Sequence, residues 1–154
     1  MVAVHLKPIT VENWKACIRL SVTAEQFDFV PDNLYSIAEA QFYPDACPRA
    51  IYNDADQIVG FILSGRDADN RRWKIFRLMI DAAFQGQGYG RAAMQQTLDE
   101  LAAKPDGGEI LVCYQDANRV ARRLYASLGF VEQSVDAQGK ATALWTRPAS
   151  KVGP

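Results

Sequence analysis

Three glycines at alternate positions, Gly86, Gly88 and Gly90, join an apolar segment to an amphipathic one, and this junction constrains the fold more than any other part of the chain. Glycine has no Cβ atom, so the backbone can turn tightly there and let a ligand approach closely. The first N–H groups of a helix lack partners within the helix and lie at the positive end of its dipole. The junction therefore predicts a strand followed by a helix whose N-terminus binds an anion such as phosphate.

Size and composition narrow the class of protein. The 154 residues fit one domain, and a hydrophobic content of 49% is enough for a core without disulfides or a structural metal. A formal net charge of -1 argues against binding to nucleic acid or to an anionic membrane surface. The three cysteines, Cys17, Cys47 and Cys113, lie far apart, which suits reduced thiols. We expect a cytoplasmic protein without a signal peptide, membrane span or metal, whose partner is a small molecule.

Hydrophobic periodicity and turn signals predict alternating strands and helices along the chain. Strands are predicted at 2–6, 50–53, 57–64, 73–80, 110–114, 130–135 and 141–146. Helices are predicted at 10–21 with Thr10 as N-cap, from Asp32 or Asn33 until Pro44 and Pro48, and at 90–103 and 117–128. Polar turns at 53–56 and 136–139 indicate two hairpins.

Three kinds of glycine-rich connection fit the junction to different degrees. A mononucleotide P-loop requires a Lys-Ser or Lys-Thr pair after its last glycine, and none is present. A dinucleotide loop matches Gly88, Gly90 and Ala93, but too few residues follow to build the repeated βαβ units of that fold. A connection without any ligand is also compatible with the junction by itself. A second motif is needed to choose between a ligand site and a plain turn.

That second motif combines Asn118 with the run Leu124-Tyr125-x-x-Leu128-Gly129-Phe130. It resembles the second cofactor motif of the GNAT superfamily of acetyl-CoA-dependent N-acetyltransferases, and the segment 85–90 is similar to that family's Q/R-x-x-G-x-G/A pyrophosphate loop. The predicted order of elements also resembles this family over residues 2–147. The resemblance implies the α/β (α+β) GNAT fold: a mixed, mostly antiparallel sheet of about seven strands with about four helices and a splayed parallel pair at strands 4 and 5. It also implies a single domain at 1–147, and we expect a disordered tail at 148–154.

The resemblance further implies a set of residues for acetyl-CoA, the expected cosubstrate. The pyrophosphate would lie on the backbone after the fourth strand, the pantetheine arm would pair with that strand's free edge, and Asn118 would hold the pantetheine amides. The backbone N–H of Leu78 would stabilise the oxyanion, and Tyr125 would protonate the departing thiolate. The implied cofactor-binding residues are Leu78, Met79, Ile80, Gln85, Gly86, Gln87, Gly88, Tyr89, Gly90, Arg91, Asn118 and Tyr125.

The acceptor side is predicted from residues 26–44, which are rich in aromatic and acidic side chains. In GNAT enzymes this region forms the acceptor wall, and here it resembles the bacterial spermine/spermidine acetyltransferase subgroup, together with segments 59–61, 73 and 77–81. Carboxylates and aromatic faces suit a polyamine through charge and cation–π contact. The expected substrate-binding residues are Asp28, Tyr35, Glu39 and Asp81; the same pattern also fits ordinary core aromatics, helix caps and solvated acids.

An alkylammonium must lose a proton before it can attack a thioester, because its pKa is near ~10.4. The sequence does not single out the base. Glu39 and Asp81 are the candidates, whereas the lone histidine, His5, is predicted to lie in the first strand, distant from the cofactor. The alternatives are another small amine or a peptide N-terminus as acceptor, or a module that senses acetyl-CoA without catalysis. A homodimer is an expectation from the family alone.

Overall fold

The computed structural model of the chain describes residues 2–149, which form one seven-stranded mixed sheet with four α-helices. The predicted fold class is therefore confirmed; most of the predicted tail, residues 150–154, lies outside the described residues. The strands are β1 (His5–Pro8), β2 (Cys47–Tyr52), β3 (Ile58–Arg66), β4 (Trp73–Ile80), β5 (Glu109–Gln115), β6 (Val131–Val135) and β7 (Lys140–Thr146). The helices are α1 (Trp14–Ile18), α2 (Asn33–Glu39), α3 (Tyr89–Ala102) and α4 (Arg119–Ser127).

The strand order is β1-β2-β3-β4-β5-β7-β6, and among these described strands only the β4–β5 pair is parallel. This pair is short: Trp73 is opposite Ile110, Lys74 opposite Leu111, and Ile75 opposite Val112, and no later residue of β4 pairs with β5. Each strand nevertheless keeps its other neighbour to its end. The two halves of the sheet therefore separate beyond Ile75, which confirms the predicted splayed pair at strands 4 and 5. We call the opening between them the cleft.

A β-bulge in β4 lies at the point where the strands separate. Leu63 of β3 is opposite Arg77, but the next residue, Ser64, is opposite Ile75, so Phe76 is an extra residue in β4. A bulge bends its strand and increases the local twist. Because Phe76 immediately follows the last residue that pairs with β5, the bulge explains why β4 turns away from its parallel neighbour.

Two apolar cores hold the helices on the sheet. The larger core contains α3 residues such as Met94 and Leu98, alternate residues of β5, and Tyr125 of α4. The smaller core packs Cys17 of α1 and Ala40 after α2 against Phe61, Phe76 and Met79. The larger core therefore supports the glycine junction, and the smaller one supports the region predicted to bind the acceptor. Separately, no helix within residues 2–149 has the length and apolarity needed to cross a membrane.

Charged groups around Trp73 stabilise the end of the sheet where β4 and β5 still pair. The Trp73 indole N–H donates to Asp106 at 2.9 Å, and the Arg66 guanidinium lies 4.0 Å from the centre of the indole ring. Arg66 also pairs with Asp106 at 2.6 Å and with Asp45 at 2.8 Å. The hydrogen bonds from Trp73 and Arg66 lower the pKa of Asp106, so this carboxylate stays ionised at neutral pH. This network connects β3, β4 and the turn before β5 opposite the cleft.

Three local predictions were wrong, the simplest being the first strand, which lies at His5–Pro8 and not at 2–6. The first helix begins at Trp14 rather than Thr10, because the Asn13 side chain accepts from the Thr10 N–H at 2.7 Å and donates to the Pro8 carbonyl at 2.9 Å. These bonds hold residues 10–13 in a turn. Pro48 lies inside β2 instead of before it, at a position where β2 pairs with β3 but not with β1. A proline is tolerated there because its missing N–H faces no neighbouring strand. The Asp32 cap and both hairpin turns are confirmed.

The network predicts that W73F lowers the free energy of unfolding by about 1–3 kcal/mol, because the variant loses a hydrogen bond and part of a buried side chain. Urea unfolding followed by circular dichroism measures this change. W14F is the matched control: Trp14 is half-buried, and its indole makes no hydrogen bond to another described residue. Equal losses in the two variants would show that the contacts of Trp73 contribute nothing beyond its bulk.

Candidate active site

The glycine junction forms a loop with two residues in the left-handed region of backbone space. Gly86 has φ = 77°, and Gly88, the N-cap residue of α3, has φ = 88°. A Cβ atom on Gly86 would meet no heavy atom within 4 Å, so there is open space beside the loop. Gly90 differs, because it is a helical residue without positive φ that faces the side chains of Leu78 and Ile80. The turn therefore requires two of the three glycines, whereas a Cβ atom on Gly90 would make only ordinary van der Waals contacts with Ile80 and Leu78.

The side chain of Gln85 anchors this loop rather than extending into it. Its amide nitrogen donates to the Ile80 carbonyl at 2.9 Å and to the Gln26 side chain at 2.8 Å. The loop is thereby fixed both to the end of β4 and to the segment between α1 and α2. Any contact of Gln85 with an anion would come from its backbone.

One hydrogen bond at the end of β4 shows which backbone groups of this strand are free. The Asp81 N–H donates to the Val59 carbonyl of β3 at 2.8 Å, and the direction of backbone groups alternates along a strand. The N–H groups of Ile80 and Leu78 therefore point away from β3 and into the cleft, where β5 no longer pairs with β4. Met79, predicted to bind the cofactor through its backbone, instead directs its backbone groups to β3. Its side chain is buried in the smaller core.

A cavity of about 870 Å³ joins the cleft, the glycine loop and the acceptor region. It brings together all the predicted cofactor residues except Gln87, and two predicted acceptor residues, Asp28 and Glu39. Tyr35 and Asp81 do not line it. The cavity is also lined by residues that were not predicted for the site: Lys74, Phe76, Cys113, Tyr114 and Lys140. Four further lining residues lie in the predicted acceptor segments but were not named as substrate-binding: Phe27, Phe29, Tyr43 and Arg77.

The carboxylate of Asp81 is occupied by backbone donors, which excludes it from the cavity. It accepts from the Ser21 N–H at 2.9 Å and from the Ala83 N–H at 3.1 Å. Its role is therefore to fix the turn after β4. Tyr35 is 56% exposed on the outer surface of α2. His5 lies on the edge strand β1, with its imidazole Nε2 2.9 Å from Asp54, as expected of a surface residue.

Asn118 caps α4 and also lines the cavity. Its side-chain oxygen accepts from the Ala121 N–H at 3.2 Å, which satisfies one of the free donors at the start of the helix. Its side-chain amide nitrogen makes no hydrogen bond to another described residue. The same side chain can therefore cap the helix and donate to a carbonyl in the cleft. Arg91, on the opposite rim, donates to the Ser127 hydroxyl at 2.6 Å and so links α3 to α4.

Tyr125 is the most deeply buried ionisable group of the cavity. Its ring packs 5.3 Å from the ring of Tyr114 and 5.9 Å from that of Phe130, and 6% of the residue is exposed. Burial raises the pKa of Tyr125 strongly, and the neighbouring Tyr114 and Cys113 raise it further. The phenol therefore remains protonated at neutral pH. Its hydroxyl makes no hydrogen bond to another described residue, so its proton is available to a ligand in the cleft.

Glu39 forms an ion pair with Arg77 on the acceptor side. Arg77 Nη2 lies 3.1 Å from Glu39 Oε1 and 3.3 Å from Oε2, and the Glu39 and Arg77 side chains are 14% and 22% exposed. Tyr43 completes the group: its ring stacks on Phe76 at 4.5 Å, and burial together with the charge of Glu39 raises the pKa of Tyr43. The signal for Arg77 in the sequence is a charge within the otherwise apolar end of β4.

The carboxylates among the described lining residues are Asp28 and Glu39, and the cations are Lys74, Arg77, Arg91 and Lys140. Lys74 pairs with Asp67 at 3.3 Å, and Arg77 pairs with Glu39, so both inner cations are neutralised. Asp28 is exposed and has no ion-pair partner in the described part of the chain. The acceptor wall is therefore aromatic and close to neutral inside, with a free carboxylate at its edge.

Comparison with known proteins agrees with this geometry. The chain is 26% identical over 134 residues to the spermine/spermidine N(1)-acetyltransferase of Bacillus subtilis, a match that covers 83% of this chain and 88% of the relative. An acetyltransferase from Thermus thermophilus superposes with a TM-score of 0.75 at 15% identity, over 94% of this chain and 97% of that one. The spermidine N-acetyltransferase of Vibrio cholerae, solved in complex with CoA and spermine, gives a TM-score of 0.66 at 13% identity over 92% of each chain.

The decisive comparison is with families, because the two structural matches establish the fold alone. The model of the acetyltransferase (GNAT) family matches residues 14–130. This range includes the bulge, the cleft, the glycine loop and Tyr125. The chain belongs to the GNAT family of acetyltransferases.

Proposed function

We propose that the chain transfers the acetyl group of acetyl-CoA to a primary amine of a polyamine such as spermidine or spermine, by direct attack in a ternary complex. The observation that carries this proposal is one continuous cavity that joins an anion-binding loop and free strand edge to an aromatic wall with a carboxylate. The 26% identity to a spermine/spermidine acetyltransferase supports the choice of acceptor.

The residues of the cleft fit acetyl-CoA, which supplies an acetyl group already activated as a thioester. The open space beside Gly86 and the free N–H groups at the start of α3 suit the pyrophosphate. The cleft-facing N–H groups of Leu78 and Ile80 suit the amides and carbonyls of an extended arm, as in strand addition. Asn118 provides a donor on the opposite side. Leu78 N–H is the donor we assign to the oxyanion.

Tyr125 stabilises the departing thiolate by donating its hydroxyl hydrogen toward sulfur. Since burial raises its pKa, Tyr125 holds its proton until a stronger base than water forms beside it, and a thiolate in the cleft is such a base. The raised pKa also makes complete transfer to a thiolate unfavourable. Tyr125 therefore contributes mainly by hydrogen bonding to sulfur as negative charge develops there.

Glu39 and Asp28 have different roles in binding and activating the amine substrate. Glu39 lines the inner wall and takes the proton of the reacting amine, whereas Asp28 binds a distal ammonium group at the exposed edge. The rings of Phe27 and Tyr43 provide apolar and cation–π contacts for the methylene segments and charges between these two points.

Replacement of Tyr125 with Phe is expected to lower kcat by ~100-fold while the KM for acetyl-CoA changes by less than about 3-fold, because only the proton donor is removed. Steady-state release of the CoA thiol measures both constants. Y114F is the matched control: the Tyr114 hydroxyl donates to Glu132 at 2.9 Å and not into the cleft, so its kcat should stay near the wild-type value. A wild-type kcat for Y125F, with chemistry rate-limiting, would eliminate the proton donor.

A thiol-release screen with acetyl-CoA is expected to show higher kcat/KM for spermidine and spermine than for amino acids, aminoglycosides or a peptide with a free N-terminus. Turnover of one of the other amines alone would refute the polyamine assignment and retain the acetyltransferase. If calorimetry detects acetyl-CoA binding but no amine causes thiol release, the chain is a sensor and not an enzyme.

Replacement of Asp28 with Asn is expected to raise the KM for spermine by about 3- to 10-fold with little change in kcat, because a distal ammonium loses an exposed charge partner. E25Q is the control, since Glu25 is an exposed carboxylate in the same segment that does not line the cavity. Equal changes in D28N and E25Q would indicate a general effect of surface charge instead of a specific contact.

A further inference from the structure

We propose that Arg77 is a positioning residue that holds Glu39 in place for proton transfer and keeps the inner wall of the cavity neutral. The inference rests on the proposed function, in which Glu39 takes the proton of the reacting amine. Arg77 would act through Glu39 and not on the thioester itself.

The guanidinium of Arg77 joins the acceptor helix to the bulged strand. Its Nη1 donates to the Phe76 carbonyl at 2.8 Å, and its Nη2 donates to Glu39, the last residue of α2. Phe76 is the extra residue of the bulge, and such a residue is left unpaired in the strand ladder. Arg77 thus satisfies the carbonyl of the bulge and fixes the position of the carboxylate with one planar group. Its neighbour Leu78 carries the N–H assigned to the oxyanion.

One oxygen of Glu39 has no hydrogen-bond donor among the described residues. Oε1 is shielded from solvent and lies 3.1 Å from Arg77 Nη2, but the contact lacks the alignment of a hydrogen bond, and no other described residue donates to it. Buried carboxylate oxygens are normally hydrogen-bonded. The Glu39 side chain is 14% exposed and lines the cavity, so a reacting amine can approach the carboxylate there.

The pairing also determines where positive charge on the substrate is accepted. A lone buried carboxylate would bind an ammonium strongly and so oppose the loss of its proton. Paired with Arg77, Glu39 belongs to a neutral unit, so the inner wall favours an uncharged, nucleophilic amine. Asp28 has no such partner among the described residues and lies at the exposed edge. The structure therefore separates the deprotonation point from the ammonium-binding point.

A double-mutant cycle on Arg77 and Glu39 tests this role. E39Q and R77Q should each lower kcat by about 10- to 100-fold, with the KM for acetyl-CoA within about 3-fold of wild type. The double variant should be no slower than the slower single variant, because the two residues act as one unit. R77K keeps the charge but not the two-point geometry and should recover part of the loss. R66Q is the matched control, because Arg66 is a strand residue that also pairs with carboxylates but does not line the cavity. This variant should have a lower melting temperature and an unchanged kcat.

Losses in kcat that multiply in the double variant, or an R77Q enzyme with wild-type kcat, would overturn the positioning role. If R77Q does not fold, the double variant and R77K carry the test, since neither leaves Glu39 buried with an uncompensated charge. The cycle is run with whichever amine the screen identifies. Turnover of a different amine therefore refutes the polyamine assignment and leaves Arg77 testable, whereas no turnover with any amine refutes both. A fully active E39Q enzyme would overturn this inference together with the role of Glu39 as the base, and would leave the proposed acetyl transfer intact.

Discussion

The separation of β4 from β5 after three residue pairs is the constraint on which the rest of the structure depends. The bulge at Phe76 ends the parallel ladder and opens the cleft. The cleft leaves two backbone N–H groups of β4 without partners in the sheet, a condition that a folded protein rarely tolerates unless a ligand or water satisfies them. The same bend places Arg77 where it reaches α2. One extra residue in one strand thus creates both the free edge and the link to the acceptor wall.

An open cleft requires that the sheet be strengthened elsewhere. At the end where β4 and β5 still pair, Trp73 is enclosed by Arg66, Lys104 and Asp106. These contacts connect β3, β4 and the turn before β5. On the cleft side of the bulge, α3 packs against both halves of the sheet through one continuous core, and Arg91 links α3 to α4. The cleft is therefore bounded by a polar network at its closed end and by a helix across one face. These supports allow seven strands to remain one sheet although two of them separate.

Short-range signals predicted much of this arrangement. Gly86 and Gly88 were recognisable because only glycine adopts their backbone conformation readily. Asn118 and Tyr125 were recognisable because their spacing resembles a cofactor motif of the GNAT family. The length of α1 and the position of Pro48 were not predicted. Both depend on contacts between side chains or between strands, which the conformational propensity of a single residue does not reveal. The bulge could not be predicted either: the run 73–80 is continuously apolar apart from two charges, and nothing in its pattern marks an extra residue. The ion pair of Glu39 with Arg77 joins residues 38 positions apart and follows from that bulge.

The short β4–β5 ladder has a mechanical consequence for the whole chain. The sheet consists of two half-sheets, β1 to β4 and β5 to β7, that share three residue pairs and the helix between them. A ligand with amides along its length that occupies the cleft acts as a missing eighth strand, because it supplies partners to both free edges at once. Such a ligand couples the opening of one half to the opening of the other. The cosubstrate would then be a structural member of the sheet while it is bound, and each round of release would leave the two half-sheets joined by three residue pairs, the Trp73 network and α3.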